Sequence, residues 1–195
     1  MILGITGSIG SGKTTAAKIF KKYGFSVIDA DEISHILFKK TPIKKIIIKN
    51  FGNVILNKNI DRKKLGNIVF NDSKKLKKLN SIMHPIIIKE MQNQINKIQK
   101  KCGKKTRIVI DAPLLLETKA KYLVDKVIVI KTFSENILER NKRFSFEHIE
   151  KISKYQMPLQ DKLKNADFVI DNNKDLKHLE KQVREIIKTI NLKIR

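Results

Sequence analysis

The chain has 195 residues, a single cysteine and a formal net charge of +23. That length allows one compact unit with a buried core and room for a lid or a small inserted subdomain. A lone cysteine excludes an internal disulfide and suits a reducing cytoplasm, and no run approaches the ~20 apolar residues a membrane helix needs.

Residues 1–6 are apolar but run straight into glycines, without the basic start and longer apolar core of a signal peptide. Residues 2–6 read as a buried strand ended by Gly7. Residues 14–23 then carry helical apolar spacing through Ala16, Ala17, Ile19 and Phe20, closed by Gly24 at a C′ position. Residues 25–29 are a second short strand, so the chain opens as strand, loop, helix, strand, the start of a parallel sheet.

Residues 30–39 and 42–50 predict two helices, and 51–60 a loop with Gly52, Asn53, Asn57 and Asn59. Residues 61–70 predict another helix with Asp61 as its N-cap. A long helical stretch follows over 72–101, which Pro85 should break or kink near 83–85. Between the second strand and Arg107 the chain is therefore mostly helical, an insertion beside the sheet. Residues 107–111, 126–131 and 168–171 are three more strands. Their unbroken apolar runs suit parallel strands covered on both faces, giving an α/β chain with a parallel five-stranded sheet. Residues 135–143 and 146–155 predict helices around a short hinge, and 176–190 a terminal helix.

Gly7-Ser8-Ile9-Gly10-Ser11-Gly12-Lys13-Thr14 matches G-x-x-x-x-G-K-[ST] at every fixed position, after a strand and before a helix. The chemistry asks for these residue types. Glycines let successive backbone N–H groups, from Gly10 through Thr15, turn toward a phosphate. The positive end of the following helix points the same way. The Lys13 ammonium reaches the β- and γ-phosphates of ATP, and the Thr14 hydroxyl is an oxygen ligand for Mg²⁺.

Three further groups follow strands on the same sheet edge, where ligands of open parallel sheets gather. Asp29 and Asp31 follow the second strand. A carboxylate there can take a proton from a substrate hydroxyl or help hold Mg²⁺, or it can simply cap the next helix. Asp111 closes the third strand, either as a Walker-B type contact to Mg²⁺ or as an ordinary strand-end aspartate. Arg140 and Arg143 follow the fourth strand on a helix that suits a lid, where arginine's fork can meet γ-phosphate oxygens, or they lie on a solvated face. His84, before Pro85, reads as structural when taken alone. His35, His148 and His178 have no metal-ligand spacing, and no zinc site is expected. The lysines are scattered: they attract a polyanion, or they reflect compositional drift toward Lys, Ile and Asn.

Taken together the residues resemble the dephospho-coenzyme A kinase family. The pieces are Gly4 to Thr15, Val27-Ile28-Asp29-Ala30-Asp31, His84-Pro85, Pro113-Leu114-Leu115-Leu116-Glu117, Gln156-Met157-Pro158 and Ala166 to Asn172. They stand in family order and span nearly the whole chain. The resemblance implies a nucleoside-monophosphate-kinase-like, three-layer P-loop fold. Its core would be roughly 1–31, 102–139 and 157–195, its helical substrate-binding insertion 32–101 and its lid 140–156. It implies ATP-dependent phosphorylation of the ribose 3′-hydroxyl of dephospho-coenzyme A. Asp31 would then be the base, Lys13 the phosphate ligand, Thr14 the Mg²⁺ ligand and Arg140 a lid arginine, with Asp29 and His84 on the acceptor side. Ser8 stands where the family usually has glycine. Arg143-Phe144-Ser145 runs at once into the next helix, where the family commonly has an Arg-Asp-Gly-like turn. No membrane and no specific nucleic-acid partner are expected, and a monomer is expected. The rival readings are another small-molecule P-loop kinase and, from the charge, an ATP-dependent nucleic-acid-binding protein. No aromatic stacking platform supports the latter.

Overall fold

A computed structural model describes residues 1–133, 137, 150 and 152–193. The described elements, in chain order, are β1 (Ile2–Gly7), α1 (Lys13–Lys22), β2 (Ser26–Asp29), α2 (Ala30–Lys39), α3 (Thr41–Phe51), β3 (Ile55–Leu56), β4 (Asn59–Ile60), α4 (Arg62–Phe70), α5 (Ser73–Cys102), β5 (Ile108–Asp111), a 3-10 turn (Lys119–Leu123), β6 (Lys126–Lys131), α6 (Leu159–Lys164), β7 (Phe168–Asp171) and α7 (Leu176–Lys193). They fall into two compact units, Met1–Asp29 with Gln94–Arg195, and Ala30–Asn93.

The first unit holds a five-stranded sheet in the order β2-β5-β1-β6-β7, with each pair parallel. The strands are short and dense in Ile and Val, and Ile108, Val109 and Ile110 are fully buried, as strands covered on both faces require. Strand order turns on β1, which has β5 on one side and β6 on the other. The loop after β1 therefore leaves the sheet at its topological switch point, where open α/β sheets bind ligands.

Side-chain alternation along β1 assigns its two faces. Leu3 and Ile5 join Ala16, Ala17, Ile19 and Phe20 of α1 and Leu179, Val183, Ile186, Ile187 and Ile190 of α7 in one core cluster. Gly4 faces the opposite layer, where a Cβ would collide with the side chain of Leu115 and touch Val124. The α7 residues recur at helical spacing over the predicted stretch, and the helix continues to Lys193.

The second unit packs α2, α3, α4 and most of α5 around Ile33, Leu37, Ile43, Ile47, Val54, Leu65, Val69 and Met83, all buried. Asp61 caps α4, accepting from the backbone N–H of Lys64 at 3.0 Å. The predicted loop at 51–60 is partly a hairpin. β3 and β4 pair antiparallel across Asn57 and Lys58, both at positive φ (48° and 64°), the backbone of a type I′ two-residue turn.

The expected break at Pro85 is absent: α5 runs as one helix of 30 residues. Proline removes one helical N–H, a cost of about 3 kcal/mol. Burial of Met83 before it and of Met91 and Ile95 after it outweighs that cost, at about 1.5–3 kcal/mol for each buried side chain. Among the described residues no helix is long and apolar enough to cross a membrane. The predicted lid helices at 135–143 and 146–155 fall mostly outside the described residues.

Close packing at Gly4 gives a direct test of the layer opposite α1. Gly4→Ala should destabilise by about 1–3 kcal/mol through overpacking. For a chain of this size that lowers Tm by roughly 2–4 °C per kcal/mol, measured by thermal melts. An unchanged Tm would mean that the Leu115 and Val124 side chains do not close over the strand.

Candidate functional site

The loop after β1 is built by its glycines. Gly10 and Gly12 sit at φ 71° and 91°, a left-handed backbone costly for residues with a Cβ. Gly12 is also the N-cap of α1, with no side-chain cap bond and no acidic residue in the first turn. The positive end of α1 is thus left to meet an anion. Lys13, only 8% exposed, folds back so that its ammonium donates to the carbonyls of Gly7 at 3.3 Å and Ser8 at 2.8 Å. The Ser11 hydroxyl is buried with no hydrogen-bond partner among the described residues. A cationic side chain, an uncapped helix start and an orphaned hydroxyl on one glycine-rich turn suit a phosphate group.

Two side chains from the far half of the sheet fix this loop. The carbonyl of Ser11 accepts from Thr132 Oγ1 at 3.1 Å and from Asn172 Nδ2 at 2.8 Å. Thr132 follows β6 and Asn172 follows β7, and both are buried. A Cβ on Gly12 would run into the Asn172 amide. Asn172 is itself held in place. Asp171 pairs with Lys131 at 3.1 Å and accepts from Asn173, whose Oδ1 receives the Phe133 N–H at 2.7 Å. Burial pushes the Asp171 carboxyl up, but the bonds from Lys131 and Asn173 win and hold it below the ordinary carboxylate range.

Across the loop, Thr14 Oγ1 donates to Asp111 Oδ2 at 2.8 Å. Asp111 is 4% exposed and is the register partner of Asp29 on the neighbouring strand β2. A hydroxyl oxygen and a carboxylate oxygen thus meet at the carboxyl end of β5, with Asp29 at the neighbouring strand end. Such hard oxygen donors suit Mg²⁺, and the groups present fit that ion. Of the two readings of Asp111, the bond from Thr14 favours the metal-site one.

The structure brings Gly10, Ser11, Gly12, Lys13 and Thr14 together on one turn, with Thr15 exposed in the first turn of α1. Asp29 ends β2, and Asp31 lies exposed in the first turn of α2 in the second unit. His84 is half-buried within α5. Arg140, Arg143 and His148 lie outside the described residues. Two contributors escape the sequence reading: Thr132, and Asn172 as a loop anchor. Asn172 stands inside a motif that carries the family resemblance, so a signal for it existed. Thr132 matches no local pattern.

The family model for dephospho-CoA kinase (CoaE) matches residues 1–178. A dephospho-CoA kinase from Fusobacterium nucleatum is 42% identical, covering 97% of this chain and 98% of that protein. A dephospho-CoA kinase structure from Campylobacter jejuni superposes with a TM-score of 0.71 at 31% identity, covering 100% of this chain and 98% of that one. The crystal structure of TT1252 from Thermus thermophilus has a TM-score of 0.80 at 24% identity, covering 97% of each chain, a likeness of fold.

Gly12 separates two causes of loss. Gly12→Ala should weaken binding of a fluorescent ATP analogue on the order of tenfold, from left-handed strain and the clash with Asn172. Asn172→Ala alone also removes the bond to the Ser11 carbonyl, so it is the reference: adding Gly12→Ala to it, with the clash gone, should still weaken binding in the same titration. A double variant that binds as well as Asn172→Ala would show that crowding, not backbone conformation, dictates glycine there.

Proposed function

The chain belongs to the dephospho-CoA kinase family, and from that premise we propose how its residues carry the reaction. It is an ATP-dependent kinase acting on dephospho-CoA, with the ribose 3′-hydroxyl as acceptor and coenzyme A and ADP as products. The observation that carries the reading is the phosphate loop Gly7–Thr14 joined by Thr14 to the buried Asp111.

In the step itself the 3′-hydroxyl oxygen bonds the γ-phosphorus while the bond from that phosphorus to the β-phosphate oxygen breaks. The hydroxyl proton passes to the Asp31 carboxylate, and ADP leaves. What supports Asp31 is its motif and its place two residues along the chain from Asp29, the register partner of Asp111. Lys13 exchanges its contacts with the Gly7 and Ser8 carbonyls for phosphate oxygens and balances their charge. The first-turn N–H groups of α1 and the backbone from Gly10 to Thr15 hold the phosphate chain in place. Thr14 and Asp111 would hold Mg²⁺, which supplies charge neutralisation at the β- and γ-phosphates.

The remaining assignments follow from the resemblance. Residues 32–101 form the acceptor-binding insertion, with Asp29 and His84 on the acceptor side. Residues 140–156 form the lid, with Arg140 meeting the γ-phosphate. The enzyme works in the cytoplasm as a monomer without a nucleic-acid partner, and its lysine excess draws in anionic nucleotides. Cys102 is exposed and unpaired, and has no part in the chemistry.

A panel of phosphate acceptors incubated with ATP and Mg²⁺ should show dephospho-CoA as the preferred substrate, with phosphate on the 3′-hydroxyl. Turnover of another nucleoside or nucleotide in its place would overturn the reading. In the same assay Asp31→Asn should lower kcat by about 10²–10⁴-fold with ATP binding largely intact, the range credited to general bases. Near-normal turnover would remove Asp31 from that role.

A further inference from the structure

We propose that Lys162 is a positioning residue for phosphoryl transfer. Its ammonium ties the root of the phosphate loop to the segment after β5 and so keeps Thr14 and Asp111 in reach of each other. The proposal rests on the reading of Gly7–Thr14 as the phosphate site.

Lys162 lies on α6, and its side chain is 1% exposed. A lysine ammonium has three N–H donors and no acceptor. Each finds a partner here: Thr6 Oγ1 at 3.3 Å, the Pro113 carbonyl at 2.8 Å and Glu117 Oε1 at 2.9 Å. These partners sit at meaningful places. Thr6 immediately precedes Gly7, the first glycine of the loop. Pro113 is two residues beyond Asp111. The Thr6 hydroxyl also donates to the Pro113 carbonyl at 3.0 Å, closing a triangle between β1 and the segment after β5. Glu117 Oε1 accepts in addition from the Met157 N–H at 2.9 Å, which joins the chain just before α6 to the same point.

The face is the one opposite α1. Leu3 and Ile5 point into the α1 and α7 core, while Gly4 and Thr6 point toward Leu115, Pro113 and Lys162. Apolar contacts on that face would resist separation of the layers but would tolerate sliding along the strand. Directional bonds from one buried ammonium to three acceptors fix register. Glu117 Oε2 is buried with no partner among the described residues, so the ammonium is the main compensation for that carboxylate. Burying this pair is costly where an apolar filler would serve for stability alone. A positional requirement accounts for the cost. Misplacement of reacting groups by about 1 Å can lower a rate on the order of 10²-fold.

Two variants separate position from stability. Lys162→Met with Glu117→Gln removes both charges and leaves no lone buried carboxylate. Thr6→Val removes one hydroxyl at the root of the loop and leaves the ion pair intact. Both are read by steady-state kinetics with dephospho-CoA and ATP, and by amide hydrogen exchange. The double variant should lose kcat on the order of tenfold. Thr6→Val removes two hydrogen bonds, the one donated to Pro113 and the one accepted from Lys162, and should lose at least about three- to tenfold, the worth of the first of them alone. In both, KM should move by less than about twofold, the pattern of groups that matter in the transition state. Exchange should rise over residues 4–8 and 111–117 and stay unchanged over β6. A folded variant with wild-type kcat, or with wild-type exchange over those segments, overturns the proposal. If the double variant does not fold, Thr6→Val alone decides. Wild-type protein inactive on dephospho-CoA would sink the functional reading instead, and the exchange pattern would still decide the role of Lys162.

Discussion

The hydroxyl of Thr14 bonded to the carboxylate of Asp111 joins the first turn of α1 to the end of β5, residues 97 apart in sequence. The site depends on this contact because it sets where the phosphate loop lies over the sheet. The loop could not stand there unsupported. Asn172 and Thr132 hold the Ser11 carbonyl from the β6 and β7 side, while the Thr6, Pro113 and Lys162 bonds hold its root on the β5 side. The strand order makes this bracing available, since β1 is the one strand with β5 and β6 as immediate neighbours. A neutral hydrogen bond contributes only about 0.5–1.5 kcal/mol net. Their collective value is positional more than energetic.

The two layers around β1 divide the labour. On the α1 and α7 side the packing is apolar and closed, and it supplies stability by area. On the opposite side stands an ion pair whose lysine is buried and whose glutamate is half-buried. Removing one partner of such a pair typically costs about 3–5 kcal/mol, because the other is left charged and buried. The polar layer lies beneath the loop and the segment after Asp111, the two pieces whose spacing the site requires.

Much of this was legible in the residues. The run from β1 through the loop to α1 could be read because its constraints are local: an apolar strand, glycines where the backbone turns left-handed, then helical spacing. The strands of the sheet could be read because Ile and Val runs on short segments match burial on both faces. The acceptor was legible only through the ordered family motifs. What stayed hidden depends on distant partners. Lys162 is one lysine in a lysine-rich chain, and only its contacts with Thr6, Pro113 and Glu117 distinguish it. Pro85 does not end α5, because a break is judged from local propensity while burial along the helix is not local. The hairpin at Asn57 and Lys58 lacks the glycine that usually announces such a turn, although asparagine tolerates the left-handed backbone.

We propose that the phosphate loop and the β5 carboxylate form one metal–nucleotide site. Mn²⁺ in place of Mg²⁺, titrated with ATP and the protein and followed by electron paramagnetic resonance, tests it directly. Thr14→Val and Asp111→Asn should each weaken formation of the protein–Mn²⁺–nucleotide complex by about tenfold or more. Wild-type binding in both variants would contradict the account.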